Sequence, residues 1–288
     1  MYRLYKKNEL SFSLVWIIAY VVLLSLADNL SASLGTLKII TAPVCIIFTL
    51  LILGFIKKHN LWEQYGLCSF KGDLKKYLYF IPLVLITSVN LWNGITMNTS
   101  IAETALFILS MACVGVIEEV IFRGFLFKAM CRDNIKLAVF ISSITFGMGH
   151  IVNLLNGKDL IATLLQICYA SAIGFLFTII FYKGKSLLPC IITHGAVNSL
   201  SIFAVDNSSL ICGVITAVIL CIVPIAYALW ILRETKKLEK DGDEIICRQL
   251  CQSGYAVLFV EVKRDCRYGK IRNLRISRYS AQNVNRKL

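Results

Sequence analysis

The feature that most constrains this chain is the length of its apolar runs. Eight of them can be marked in its 288 residues, at roughly 10–27, 37–56, 77–97, 104–128, 136–153, 160–182, 186–205 and 209–232. An α-helix rises about 1.5 Å per residue, so runs of about 18–24 residues match the ~30 Å hydrocarbon core of a bilayer. Composition agrees: 57% of residues are hydrophobic, 16% are charged and the mean hydropathy is +0.71. Soluble domains carry about 25% charged residues. The expected fold is therefore all-α, a polytopic membrane helical bundle of about eight transmembrane helices occupying residues 1–232.

Charge placement tests that count. With a cytoplasmic N-terminus, the inside loops hold Arg3, Lys6 and Lys7; Lys57, Lys58, Lys71, Lys75 and Lys76; Lys128, Arg132 and Lys136; and Lys183 and Lys185. The outside loops hold only Lys38 and Lys158. Loop Lys and Arg concentrate on the cytoplasmic side of membrane proteins, and here the bias alternates at every crossing. This predicts a multi-pass protein with both termini cytoplasmic. Ser25-Leu26-Ala27 resembles a small-x-small cleavage site, but the first run is long for a signal peptide, so a retained helix is expected.

The net charge of +13 does not point to nucleic acid. About half the excess follows residue 232 and the rest lies in short loops, with no basic stripe interleaved with aromatics. Residues 233–288 read as a basic cytoplasmic tail, mixed in charge over Glu234–Glu244 and basic over Arg264–Leu288, short of packed structure and able to lie on anionic lipid. Cys45, Cys113, Cys168, Cys190, Cys212 and Cys221 sit inside apolar runs and act as small hydrophobes. Cys247, Cys251 and Cys266 are too irregularly spaced for a zinc site.

Polar residues inside the spans carry the chemistry. The fourth run contains Glu118, Glu119 and Arg123. Each charged group costs roughly 2.5–3.5 kcal/mol at a helix centre, whereas a Leu or Ile returns about 0.3–0.6 kcal/mol. Such groups persist only when neighbouring helices or a wet cavity take them up, and they are functional by default. Glu119 and Arg123 are spaced i,i+4 and can pair; Glu118 is rotated about 100° away, which leaves one free carboxylate. The fifth run ends Phe146-Gly147-Met148-Gly149-His150, and the seventh contains His194 and Asn198 at i,i+4. A carboxylate with an imidazole can activate water, and an imidazole with an amide can stabilise an oxyanion. His150 lies roughly 6–9 Å deeper than Glu118 and His194 on straight helices, so a late start or a bend at Gly147 or Gly149 is expected.

The ordered set E-E-x-x-x-R, F-x-x-x-H and H-x-x-x-N, each on its own span, resembles the CPBP family of CAAX-processing and bacteriocin-processing intramembrane endopeptidases, also called the Abi family. The resemblance is clearest over about residues 104–205. It implies an eight-helix bundle with a conical cavity open toward the cytoplasm and membrane, in a bacterial plasma membrane. Glu118 would activate water with His150, His194 and Asn198 would hold the oxyanion, and Glu119 with Arg123 would brace the site. The substrate would be a membrane-associated peptide or protein, of CAAX type or leader type. Family members are often labelled metalloproteases, which makes Glu118, His150 and His194 candidate ligands for a divalent metal such as zinc, although metal-independent water activation is the favoured expectation. Two other classes also fit a buried polar cluster: a proton- or solute-coupled transporter, and a non-catalytic immunity or scaffold protein on the same fold.

Overall fold

Polar capping residues set where the apolar helices begin. In the computed structural model, which describes residues 1–97, 99–155, 157–205, 209–252, 258–264 and 271–278 with side chains to Lys236, α1 (Glu9–Ser33) opens on Asn8, whose side chain accepts from the Ser11 amide. Ser100 and Glu103 form a reciprocal capping box at the start of α4 (Ile101–Met130). Asn134 caps α5 (Ile135–Leu154) and Asp159 caps α6 (Leu160–Gly184) in the same way. The first backbone N–H groups of a helix have no partner within it, and these side-chain oxygens supply one.

The remaining helices are α2 (Thr41–Lys58), α3 (Leu74–Leu91), α7 (Leu188–Phe203) and α8 (Leu210–Gln252). Among the described residues, seven helices are long and apolar enough to cross a membrane, and α7 is a shorter apolar helix. The expected eight-part bundle is thus present, with its seventh member short. Leu14, Ile18, Val22 and Leu26 of α1 and Ile211, Ile215 and Ile222 of α8 turn outward, an apolar face that lipid rather than water would cover. The change in composition at Arg233 does not end a helix, because α8 runs on to Gln252. Beyond it, Leu258–Arg264 and Ile271–Arg278 pair as antiparallel strands. The rest of the tail expectation lies outside the described residues.

Two helices are not plain α-helices. In α4, α-winding over Ile101–Glu119 gives way to π-winding over Val120–Phe127. All eight residues of that π segment are buried, packed by α1 and α5, and Ser142 of α5 donates to the Phe122 carbonyl at 3.0 Å. π-Turns are rare and occur most often at functional sites. In α3, Leu78, Tyr79 and Phe80 all adopt left-handed φ values of 48°, 48° and 59°, which breaks the helix before Pro82 restarts it. Left-handed backbone costs roughly 1–2 kcal/mol per L-residue. Tyr227 of α8 donates its hydroxyl to the Tyr77 carbonyl at this break, so the interruption is not left unsatisfied. The sequence expectation of one uniform span at 77–97 therefore gives way to a broken helix that ends at Leu91.

The helices that carry the polar residues are drawn together by small residues. A β-carbon on Gly115 of α4 would lie 2.7 Å from the Gly195 nitrogen and 2.8 Å from its Cα on α7. Only glycine permits this approach, and it brings Glu118 and Glu119 beside His194. Gly115→Val should lower stability by about 3 kcal/mol, the upper end of overpacking costs, because backbone must move. Thermal unfolding in detergent measures this. Gly54→Val, where nothing lies within 4 Å of the new β-carbon, should unfold like the parent.

Candidate active site

The site is built on consecutive residues of one helix that serve different partners. Glu119 and Arg123 are both fully buried, and Nη1 of Arg123 donates to Oε1 of Glu119 at 3.0 Å. The i,i+4 pairing read from the sequence is therefore realised. The same Oε1 also lies 2.9 Å from Nδ1 of His194, a contact that spacing could not reveal because it crosses from α4 to α7. With Nδ1 turned to Glu119, Nε2 is the nitrogen that faces Glu118, 3.5 Å from its Oε2.

Glu118 is not the free carboxylate expected from the sequence. Its other oxygen accepts a hydrogen bond from the Tyr20 hydroxyl, contributed by α1. A carboxylate with only 14% of its side chain exposed needs donors, and Tyr20 supplies one. The sequence held no usable sign of this, since a tyrosine in an apolar run is ordinary packing material.

Phe146 gives the second motif its function in the geometry. The Arg123 guanidinium sits 4.0 Å from the Phe146 ring centroid and 5.7 Å from that of Phe177. Such cation–π contacts suit a cation out of water, and they stand where Nε and Nη2 of Arg123 have no hydrogen-bond partner among the described residues. The edge of the same cluster meets both imidazoles, with ring centroids 5.4 Å apart to His194 and 5.9 Å to His150.

His150 reaches the site through the expected kind of adjustment. α-Winding in α5 stops at Met148 and Gly149–Ile151 form a 3-10 turn that carries His150. Gly147 packs against α6, where a β-carbon would sit 2.7 Å from the Ile167 carbonyl oxygen. His150, His194 and Asn198 line one cavity of about 300 Å³. No hydrogen bond joins His150 to Glu118, and the Asn198 amide points to no protein partner among the described residues. Asn90 of α3, which the sequence reading passed over, lines the cavity and donates to the Val197 carbonyl at 2.6 Å, bracing α7. Its only sequence signal was a carboxamide inside an apolar run.

The donor set does not suit a metal. Among the described residues, no group of three or more His, Cys, Asp or Glu side chains is arranged to hold an ion. Glu118 and His194 each have one donor atom committed, to Tyr20 and Glu119, and only Oε2 and Nε2 remain to face each other. A catalytic zinc usually takes three protein ligands.

Two imidazoles and an amide line one cavity in this apolar bundle, and a carboxylate lies 3.5 Å from one of those imidazoles. Residues 100–200 match the model of the Rce1-like family, described as type II CAAX prenyl endopeptidase Rce1-like, so this stretch is similar to that family. The match covers all three motifs and α4 to α7. No curated protein and no solved structure matches the chain.

Arg123→Met should cost about 3–5 kcal/mol, because it leaves Glu119 buried with its cation gone. Chemical denaturation in detergent measures the loss. Combining it with Glu119→Gln should recover part of that loss, since no uncompensated charge then remains.

Proposed function

We propose that this protein is an intramembrane endopeptidase that hydrolyses a peptide bond of a membrane-associated substrate with water activated by Glu118. The observation that carries this reading is the state of Glu118. It is the one carboxylate of the cluster not neutralised by Arg123, and it is oriented from two sides by Tyr20 and by His194, which lines one cavity with His150 and Asn198.

Each role follows from position. Glu118 takes a proton from a water molecule, and the water oxygen bonds to the scissile carbonyl carbon. The developing oxyanion is met by the Asn198 amide and by the Nε2–H of an imidazolium His194, whose Nδ1–H is donated to Glu119. Glu118 then returns the proton to the leaving nitrogen as the C–N bond breaks, so the elements of water are added across the bond. His150, which lines the same cavity, orients the water or the departing amine. Arg123 pairs with Glu119 and takes no part in proton transfer. The family description favours a CAAX-type tail over a bacteriocin-type leader as substrate. The bilayer itself presents that substrate to the helices.

Glu118→Gln should reduce cleavage by at least about a thousandfold in a reconstituted assay against a fluorogenic CAAX-type lipopeptide, while circular dichroism and Tm stay near the parent's. Full activity in that variant would end the endopeptidase reading. Asn198→Ala should lower kcat by about 10²–10³, the usual cost of one oxyanion donor. Tyr20→Phe removes one charge-assisted hydrogen bond worth about 1.5–3 kcal/mol, which corresponds to roughly 10–150-fold in kcat/KM. Its effect should show as an altered pH profile as well as a slower rate, which loss of packing alone would not produce.

A further inference from the structure

Two cation-bearing turns of the chain meet at one end of the bundle. A short helix, Tyr2–Lys7, finishes on two lysines, and the chain turns at Asn8 into α1. At the same end α4 finishes, and the chain turns through Arg132 and Asn134 into α5. Between these turns lies a hollow of about 540 Å³, within the ~300–1,000 Å³ range of ligand sites. Lys6, Lys7 and Arg132 stand on its wall, and it shares no lining residue with the catalytic cavity.

All three cations are exposed and lightly engaged. Lys6 lies 5.6 Å from the Tyr2 ring centroid, and Lys7 has no ion-pair partner among the described residues. Arg132 meets Asp133 only at 3.9 Å, with both side chains exposed, a contact worth little in water. Glu9 also lines the hollow, so the cations outnumber the carboxylates three to two. Asn8 and Asn134 cap α1 and α5 at its edge, which sets the positive ends of two helix dipoles there. Deeper along both helices the wall turns apolar, with Leu10 of α1 and Leu137 of α5 41% and 47% exposed. Each begins an exposed stripe at helical spacing, continued by Leu14 on α1 and by Phe140 and Ile144 on α5. Cations followed by exposed hydrocarbon match the order of groups in a phospholipid.

We infer that this hollow binds the headgroup phosphate of an anionic phospholipid, whose acyl chains lie along the two apolar stripes. Basic pockets between spans take anionic headgroups, and each Lys or Arg near the surface adds to the attraction. The planar fork of Arg132 matches phosphate geometry, and Lys6 and Lys7 supply point charges. A lipid held here touches the turn before α1, the end of α4 and the start of α5. Those helices carry Tyr20, Glu118 and His150, so the lipid ties together three parts of the scaffold that holds the polar cluster. Binding at this hollow does not depend on the endopeptidase reading.

The test is thermal unfolding of the full chain in nonionic detergent, titrated with phosphatidylglycerol. Tm of the parent should rise by several degrees, whereas phosphatidylcholine or inorganic phosphate at the same concentration should leave it unchanged. Lys7→Gln/Arg132→Gln should need about thirtyfold more phosphatidylglycerol for the same rise, the combined worth of two cations near an anionic surface. Lys57→Gln/Lys58→Gln removes the same charge from exposed positions at the end of α2 and should titrate like the parent. Should the first pair accumulate poorly, Lys6→Gln/Lys7→Gln takes its place. A parent-like titration by the hollow variants would overturn the inference. So would an equal shift in both double variants, which reduces the effect to net charge, or a rise with phosphatidylcholine or with inorganic phosphate alone.

Discussion

One oxygen atom organises the centre of this bundle. Oε1 of Glu119 accepts from Arg123 on its own helix and from His194 on α7, at 3.0 and 2.9 Å. The first contact settles the charge of a carboxylate that no water reaches. The second fixes which ring nitrogen of His194 is spent, and therefore which one remains for chemistry. Remove either partner and a buried charge is left without compensation, a cost of several kcal/mol that neighbouring Leu and Ile residues cannot offset. The close Gly115–Gly195 approach exists in this context: without it, α7 would stand too far from α4 for His194 to reach both carboxylates.

The bilayer tolerates the cluster because its charges are surrounded by polarisable aromatic faces and closed backbone. Arg123 cannot satisfy all five of its N–H groups inside an apolar bundle, and the ring of Phe146 takes up part of the unmet positive charge at 4.0 Å. The π-winding that begins at Val120 has the same logic. It carries Arg123 and its neighbours inward as a fully buried turn, and the strain it puts on backbone pairing is eased by Ser142 donating to the Phe122 carbonyl. The break in α3 is handled alike, with the Tyr227 hydroxyl on the Tyr77 carbonyl. In both places a side chain from another helix completes hydrogen bonding that the local helix gave up.

Much of this was legible in the sequence because two physical scales are rigid. The bilayer thickness fixes span length, so most helix ends fall close to those of the apolar runs, the ends of α3 and α8 excepted, and the 3.6-residue turn fixes that Glu119 meets Arg123 while Glu118 faces elsewhere. What stayed hidden depends on contacts between helices far apart in the chain. Tyr20 is 98 residues from Glu118, and a tyrosine that donates to a carboxylate cannot be told by sequence from one that packs. The same is true of Asn90 and of the Glu119–His194 bond. The left-handed run at Leu78–Phe80 has no glycine to announce it; only the following Pro82 hinted that the helix would not be continuous. The role of Phe146 was also invisible, since an aromatic four residues before a histidine reads as packing until the guanidinium beneath it is placed.

Hydrolysis inside a membrane needs water at a depth where water is scarce, and the short seventh helix answers this. At about 1.5 Å per residue, Leu188–Phe203 cannot span a ~30 Å hydrocarbon layer. A segment shorter than the bilayer thins it locally or sits beside a wet space. α3 is also interrupted, and its Asn90 ties it to Val197 of α7 at the cavity wall. The two weakest spans of the bundle thus meet at the cavity, and α7 brings His194 to the carboxylates that α4 carries. Buried Phe146 and Phe177, packed on the Arg123 guanidinium, keep the Glu119–Arg123 pair dry enough for its electrostatics to hold His194 in place.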